Sequence, residues 1–426
     1  MIKNLLSRYK SLNWAIADQI LVSGVNFLTG IFIARTLGLE VFGQFTMIWL
    51  IVLFFSSIQE SLLLSPMISI SSKLTPHKAR TYFDGVFSLS LLFALIASCI
   101  TVILLIIFPQ YVYGNFVSSA VVIFSIVFLS LLQEALRRVL FAKNKIKLVF
   151  INDLISYLGQ LSLLILLVAL NDSIELIDVF MIIGASTLAA VIFSYLALNN
   201  LHLSIKKSLY VWQRNWPMAK WMVLSAISNW FTGNLFIIMA GIYLGNSAVG
   251  ALKAAQNILG INHILFKLIE NIAPVKAGKL LVKSGINEMV SYFKQLTIVS
   301  IGCFCVFALF IISFSDELMT IVYGAEYTEY SWLLISYSGI YLCLLLAFPL
   351  RICLRTLENT KHIFFAYITT GLFTLILSQS FVNQWALQGV ISGMLMVNVI
   401  MLIMLMYFVR RSILLYKKDS KIKEVI

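Results

Sequence analysis

Residues 85–108 read GVFSLSLLFALIASCITVILLIIF, without one charged side chain. That stretch identifies the solvent as lipid. A helix rises about 1.5 Å per residue, so about 20 apolar residues cross a hydrocarbon core of roughly 30 Å. The same reading recurs at 13–36, 42–64, 117–137, 148–170, 177–198, 220–244, 249–274, 295–314, 332–350, 363–381 and 388–409. Backbone groups in lipid must be satisfied within their own segment, and the alternation of a membrane strand is absent, so each run is expected to be a helix. Composition agrees. Of 426 residues, 61% are hydrophobic and 12% charged, where a soluble chain carries about a quarter charged. The expected fold class is an all-α polytopic membrane protein of about 12 transmembrane helices. The first run is too long for a signal-peptide core and lacks a small-residue cleavage site, so it reads as a retained helix.

The net charge of +13 does not point to nucleic acid. Of the 31 lysines and arginines, 28 fall in 1–12, 65–84, 137–147, 199–220, 275–294, 351–362 or the tail after 409, the others being Arg35, Lys253 and Lys267. These are alternate connections, and the opposite ones carry acids such as Asp172, Glu175, Asp316, Glu317, Glu326 and Glu329. Basic loops stay cytoplasmic, so both termini are expected there. The basic run from Arg137 to Lys147 reads as one such loop. Cys99, Cys303, Cys305, Cys343 and Cys353 lie inside apolar runs, and the four histidines lack ligand spacing, so neither metal nor cofactor is expected.

The chain repeats itself. Leu37-Gly38 with Gly43 recurs as Leu244-Gly245 with Gly250, Pro66 as Pro274, Val112-Tyr113-Gly114 as Val322-Tyr323-Gly324, and Arg137 with Lys147 as Arg351 with Lys361. The offset grows from 207 to 214, as a duplication with small insertions produces. Six helices per copy give parallel repeats: an N-terminal bundle over 1–205 and a C-terminal bundle over 206–426 with a basic tail, expected around a central cavity.

Ionisable groups in mid-membrane are costly and face a cavity or a partner. In the eighth run, Lys253, Gln256, Asn257, Gly260, His263, Lys267, Glu270 and Asn271 recur at helical spacing on one face. Similar stripes are Asp18, Gln19, Ser23, Asn26, Thr29 and Gly30 in the first run, Ser225, Ser228, Asn229 and Thr232 in the seventh, and Asn152, Asp153, Ser156, Tyr157 and Gln160 in the fifth. Stripes of small polar residues also serve as helix–helix contacts, and Arg35 and Lys253 can snorkel to an interface. Lys267 can pair with Glu270 or Glu60, which share a face or a repeat position. A cationic cavity suits an anion such as diphosphate. Asp18, Glu60, Asp153 and Glu270 are then candidates for ion coupling.

The stretches Asp18-Gln19, Asn26-Phe27-Leu28, Ala34-Arg35-Thr36-Leu37-Gly38 and Phe42-Gly43 resemble the opening of Wzx-type O-antigen and polysaccharide flippases. Val322-Tyr323-Gly324-Ala325-Glu326-Tyr327 and the basic run Arg137 to Lys147 resemble two further pieces. The resemblance implies the fold of the multidrug/oligosaccharidyl-lipid/polysaccharide exporter superfamily, MATE-like, in a bacterial inner membrane. It implies a flippase, not an enzyme, that moves an undecaprenyl-diphosphate-linked oligosaccharide to the periplasmic leaflet by alternating access. The intramembrane carboxylates make H+ or Na+ the expected coupling ion, and polymerase and chain-length proteins are expected partners. The resemblance also implies cationic cavity residues on the first, second and eighth helices, where Arg35, Lys253 and Lys267 are the nearest positions. With Gln256, Asn257, His263 and Asn26 they make the candidate substrate site. Two rivals remain: a cation-coupled multidrug antiporter on the same fold, and a membrane polymerase or ligase, for which the outer loops are short.

Overall fold

The computed structural model describes residues 2–109, 115–171, 174–199, 201–260 and 262–425, with side chains for these except 2–13, 15–16, 263–265, 267–268, 270–272, 275 and 419–425. The described residues are almost all helical, with no strand among them. Twelve long helices follow one another: α1 (2–37), α2 (39–71), α3 (Pro76–Ile107), α4 (Phe116–Ala142), α5 (Ile146–Leu170), α6 (Leu176–Leu198), α7 (Ile205–Leu244), α8 (246–260 and 262–284), α9 (286–313), α10 (Trp332–Thr356), α11 (360–385) and α12 (387–425).

Three joints are single residues in left-handed conformation: Gly38 (φ 78°, ψ 177°), Gly285 (φ 80°, ψ 179°) and Ala386 (φ 47°, ψ −132°). Helical hydrogen bonding runs almost unbroken past each, so helices join without a loop. Among the described residues hydropathy alone delimits nine spans, because α1–α2 and α11–α12 fuse and because α8 is described only in part.

The chain divides into two compact units, Met1–Ile227 and Ser228–Ile426, with the boundary inside α7. In the first, Met67, Tyr82, Val86, Leu136, Val139, Leu140 and Val211 form a buried core. The entry to α7 is pinned onto α3: Lys207 pairs with Asp84 at 2.6 Å, and Tyr82 donates to Asn215 Oδ1 at 2.6 Å. In the second, Ala273, Ala277, Met289, Leu354, Ala366 and Leu405 are the core.

The duplication is written in the backbone. Gly245 (φ 88°, ψ 176°) repeats the conformation of Gly38, one that only glycine enters without strain. The α4–α5 turn recurs as the α10–α11 turn, bond for bond. Lys143 N donates to Val139 O as Leu357 N does to Cys353 O, Asn144 N to Phe141 O as Glu358 N to Arg355 O, and Lys145 N to Leu140 O as Asn359 N to Leu354 O. Asn144 and Glu358 hold the same left-handed φ, 58° and 61°. The register throughout this turn is 214, as the Arg137 and Arg351 pairing requires.

Candidate functional site

Arg137 and Arg138 are not in a loop. The apolar run thins out near Leu136, but α4 continues to Ala142. Both arginines therefore point back among the helices of the first unit, where acids wait for them.

Arg137 Nε donates to Asp153 Oδ2 of α5 at 2.6 Å. Its Nη2 donates to Asp18 Oδ2 of α1 at 3.0 Å, and Nη1 lies 3.5 Å from Glu134 Oε2, one turn back on α4. Arg138 Nε donates to Glu134 Oε1 at 2.7 Å and sits 3.4 Å from Glu60 Oε2 of α2. Four carboxylates thus face two guanidiniums, and the cluster carries excess negative charge. Asp153 is 0% exposed and Asp18 7%. One oxygen of each, Oδ1, is buried with no donor to it. Gln59, beside Glu60, is wholly buried with neither end of its carboxamide hydrogen-bonded. Orphaned buried acceptors are uncommon in folded chains and costly in lipid. Two of them on carboxylates that share one arginine make a place where a proton or a small cation fits.

Backbone irregularity marks the same place. Glu60 opens a π-helical segment, Glu60–Leu64, and Asp153 immediately precedes another, Leu154–Leu158. Such wide turns widen the helix locally and cluster at functional sites. Here each sets a carboxylate against α4. A second polar layer fixes α5: Gln133 donates to Asn152 Oδ1 at 2.6 Å, and Asn152 Nδ2 donates to Ser194 Oγ at 2.6 Å and Ala190 O at 2.9 Å on α6.

The structure thus brings Asp18, Glu60 and Asp153 together as partners of Arg137 and Arg138, which the charge pattern of the sequence places in a loop. The signal was there in principle: Arg137 recurs as Arg351, and a base kept in both copies is more than a topology marker. Arg35 and Asn26 are exposed on α1, and Lys253 is half-buried on α8. Half-buried Asn257 donates to Tyr323 Oη at 3.1 Å, and Gln256 accepts at its backbone oxygen from Tyr341 Oη at 3.5 Å. The side chains of His263, Lys267 and Glu270 lie outside the described residues. On α7, Thr232 Oγ1 accompanies Thr370 Oγ1 of α11 at 3.4 Å, a helix–helix contact of small polar residues.

No protein-family model matches the chain, and no curated protein matches it. Solved structures do. A lipid II flippase MurJ in an inward closed conformation is similar at a TM-score of 0.71 and 15% identity, over 96% of this chain and 91% of that one. A MOP superfamily transporter from Pyrococcus furiosus is similar at 0.67 and 12%, over 96% of both chains. An outward-facing multidrug resistance MATE family transporter is similar at 0.63 and 12%, again over 96% of both. The expected fold class holds: this multi-pass membrane chain of apolar helices has the fold of MOP superfamily transporters.

Proposed function

We propose that the chain is a flippase that carries an undecaprenyl-diphosphate-linked oligosaccharide from the cytoplasmic to the periplasmic leaflet of a bacterial inner membrane. Both termini would be cytoplasmic, as the lysine and arginine distribution favours. The observation that carries a transport reading is the part-buried cluster of Asp18, Glu60, Glu134, Arg137, Arg138 and Asp153 beside two π segments. Charges kept in a membrane at such cost mark a pathway or a coupling site. Within the reading, Asp18 and Asp153 take up the coupling ion, H+ or Na+. Binding there would weaken their hold on Arg137 and release α1 and α5 from α4, a route from ion to conformational change. Arg35, Lys253 and Lys267 remain proposed contacts of the diphosphate, with Asn26, Gln256, Asn257 and His263 along the glycan. No bond is made or broken, so no nucleophile is required.

The substrate class rests on the sequence resemblance and on likeness to a lipid II flippase. A second reading, a cation-coupled multidrug antiporter, is favoured by the excess negative charge of the cluster. Deletion of the gene separates them. The flippase reading expects loss of surface glycan with lipid-linked repeats accumulating inside, and Arg35→Ala and Lys267→Ala to cut glycan display at normal protein level. Intact glycan with new drug sensitivity would overturn it in favour of the antiporter.

A further inference from the structure

Arg351 is the copy of Arg137 in which every acidic partner has been replaced. The register of 214 that superposes the two turns carries Glu134 onto Phe348, Arg137 onto Arg351 and Asp153 onto Tyr367. The register of 207, set by Gly38 and Gly245, carries Asp18 onto Ser225 and Glu60 onto Lys267. Geometry follows register. Arg137 donates to Asp153, and Arg351 Nη1 donates to Tyr367 Oη at 2.7 Å, the partners standing 16 positions apart in both cases. Arg137 faces Glu134 three residues back, and the Arg351 guanidinium stands 5.1 Å from the ring centre of Phe348, also three back. A phenol and an aromatic face thus occupy the places of two carboxylates.

The consequence is a reversal of sign. In the first copy four acids surround two arginines. In the second, the matching positions hold Arg351 and Lys267 and no acid. Among the described residues no carboxylate pairs with Arg351. It is half-buried, and the next three residues of its helix, Ile352, Cys353 and Leu354, are buried. A guanidinium carries five donors. Tyr367 takes one and the Phe348 face accepts charge without accepting a bond, so most remain unspent. A half-buried cation with no carboxylate on it among the described residues favours an anion that comes to it. Its depth suits a lipid: Arg351 lies five residues before the helix ends at Thr356, about 8 Å along the axis, near headgroup level. Guanidinium is also the side chain best matched to phosphate oxygens.

We propose that Arg351 is an anion-binding residue of the C-terminal repeat, taking the phosphate of a lipid-borne ligand with the donors that Tyr367 leaves free. This rests on the flippase reading and names a contact for its diphosphate outside the cavity positions read from sequence.

The test is binding of farnesyl diphosphate to the purified full-length chain in detergent, with farnesol as the uncharged control and phosphatidylglycerol as competitor. Wild type should prefer the diphosphate. Arg351→Gln should weaken it at least about tenfold, the loss of one charge-assisted contact, and leave farnesol unchanged. Tyr367→Asp, which restores the acid of the first copy, should do the same while raising the melting temperature. It thereby guards against a loss caused by misfolding. Competition by phosphatidylglycerol, weakened by the same substitutions, would identify bulk headgroups as the phosphate source and still support the site. If both variants bind diphosphate as wild type does, the assignment of Arg351 fails and the flippase reading stands. If wild type itself does not distinguish diphosphate from farnesol, both fail.

Discussion

Arg137 Nε donates to Asp153 Oδ2 at 2.6 Å, a bond that links α4 to α5 at the centre of the cluster. Asp153 has no exposure, so its charge is compensated there or nowhere. Removing one member of a buried pair typically costs more than replacing both, because the survivor is left charged and dry.

Arg137→Leu should therefore destabilise the protein by about 3–5 kcal/mol. Adding Asp153→Asn to it should recover part of that loss. Thermal unfolding of the four proteins of the cycle in detergent measures the coupling. Strict additivity would show that the pair is not a unit.

Asp18→Asn and Asp153→Asn keep size and hydrogen-bonding capacity but remove the charge. Each should leave the folded protein abundant and uncouple transport from the ion gradient. Substrate movement in proteoliposomes, with and without an imposed pH or sodium gradient, reads this out. A gradient response equal to wild type would remove these residues from coupling.

The number of helices was legible because lipid leaves the backbone one choice, and even polar α8 could be recognised by its stripe. The Gly38 joint was legible as a Leu-Gly pair that recurs as Leu244-Gly245. Ala386 was not, since nothing in an alanine announces a positive φ. The cluster was half legible. Asp18, Glu60 and Asp153 stood out as acids in apolar runs, whereas Arg137 and Arg138 were counted with Lys143, Lys145 and Lys147 as a topology signal. Charge counting says which side a base is near but not whether it snorkels outward or turns back to an acid two helices away. The π segments have no sequence signature, because one extra residue per turn leaves composition unchanged.

Asn152 supports the cluster from behind. Asn152→Leu would strand the Gln133 amide and the Ser194 hydroxyl in a buried layer. A loss of about 1–3 kcal/mol is expected for such orphaned groups, visible as a lower melting temperature. No change would mean that the layer repacks freely.

Gly85 is where α3 meets the entry to α7. A Cβ there would overlap Lys207 O and lie 2.6 Å from Val211 Cγ2. Gly85→Ala should loosen the Asp84–Lys207 and Tyr82–Asn215 links together. Faster proteolysis within 201–217 checks this, with Gly24→Ala as control, since a Cβ at Gly24 meets nothing within 4 Å. Equal cleavage of both variants would contradict the close packing.

The proposed function has this chain move a lipid-borne diphosphate across a bilayer by using the charged cluster of its first repeat. Its most direct test is a flipping assay in proteoliposomes with a defined undecaprenyl-diphosphate oligosaccharide, scored by access of the glycan to an external lectin. The account predicts that wild type equilibrates the glycan between leaflets and that Asp153→Asn, correctly folded, does so far more slowly. Wild-type vesicles that leave the glycan on the leaflet where it was placed, at any imposed gradient, would contradict it.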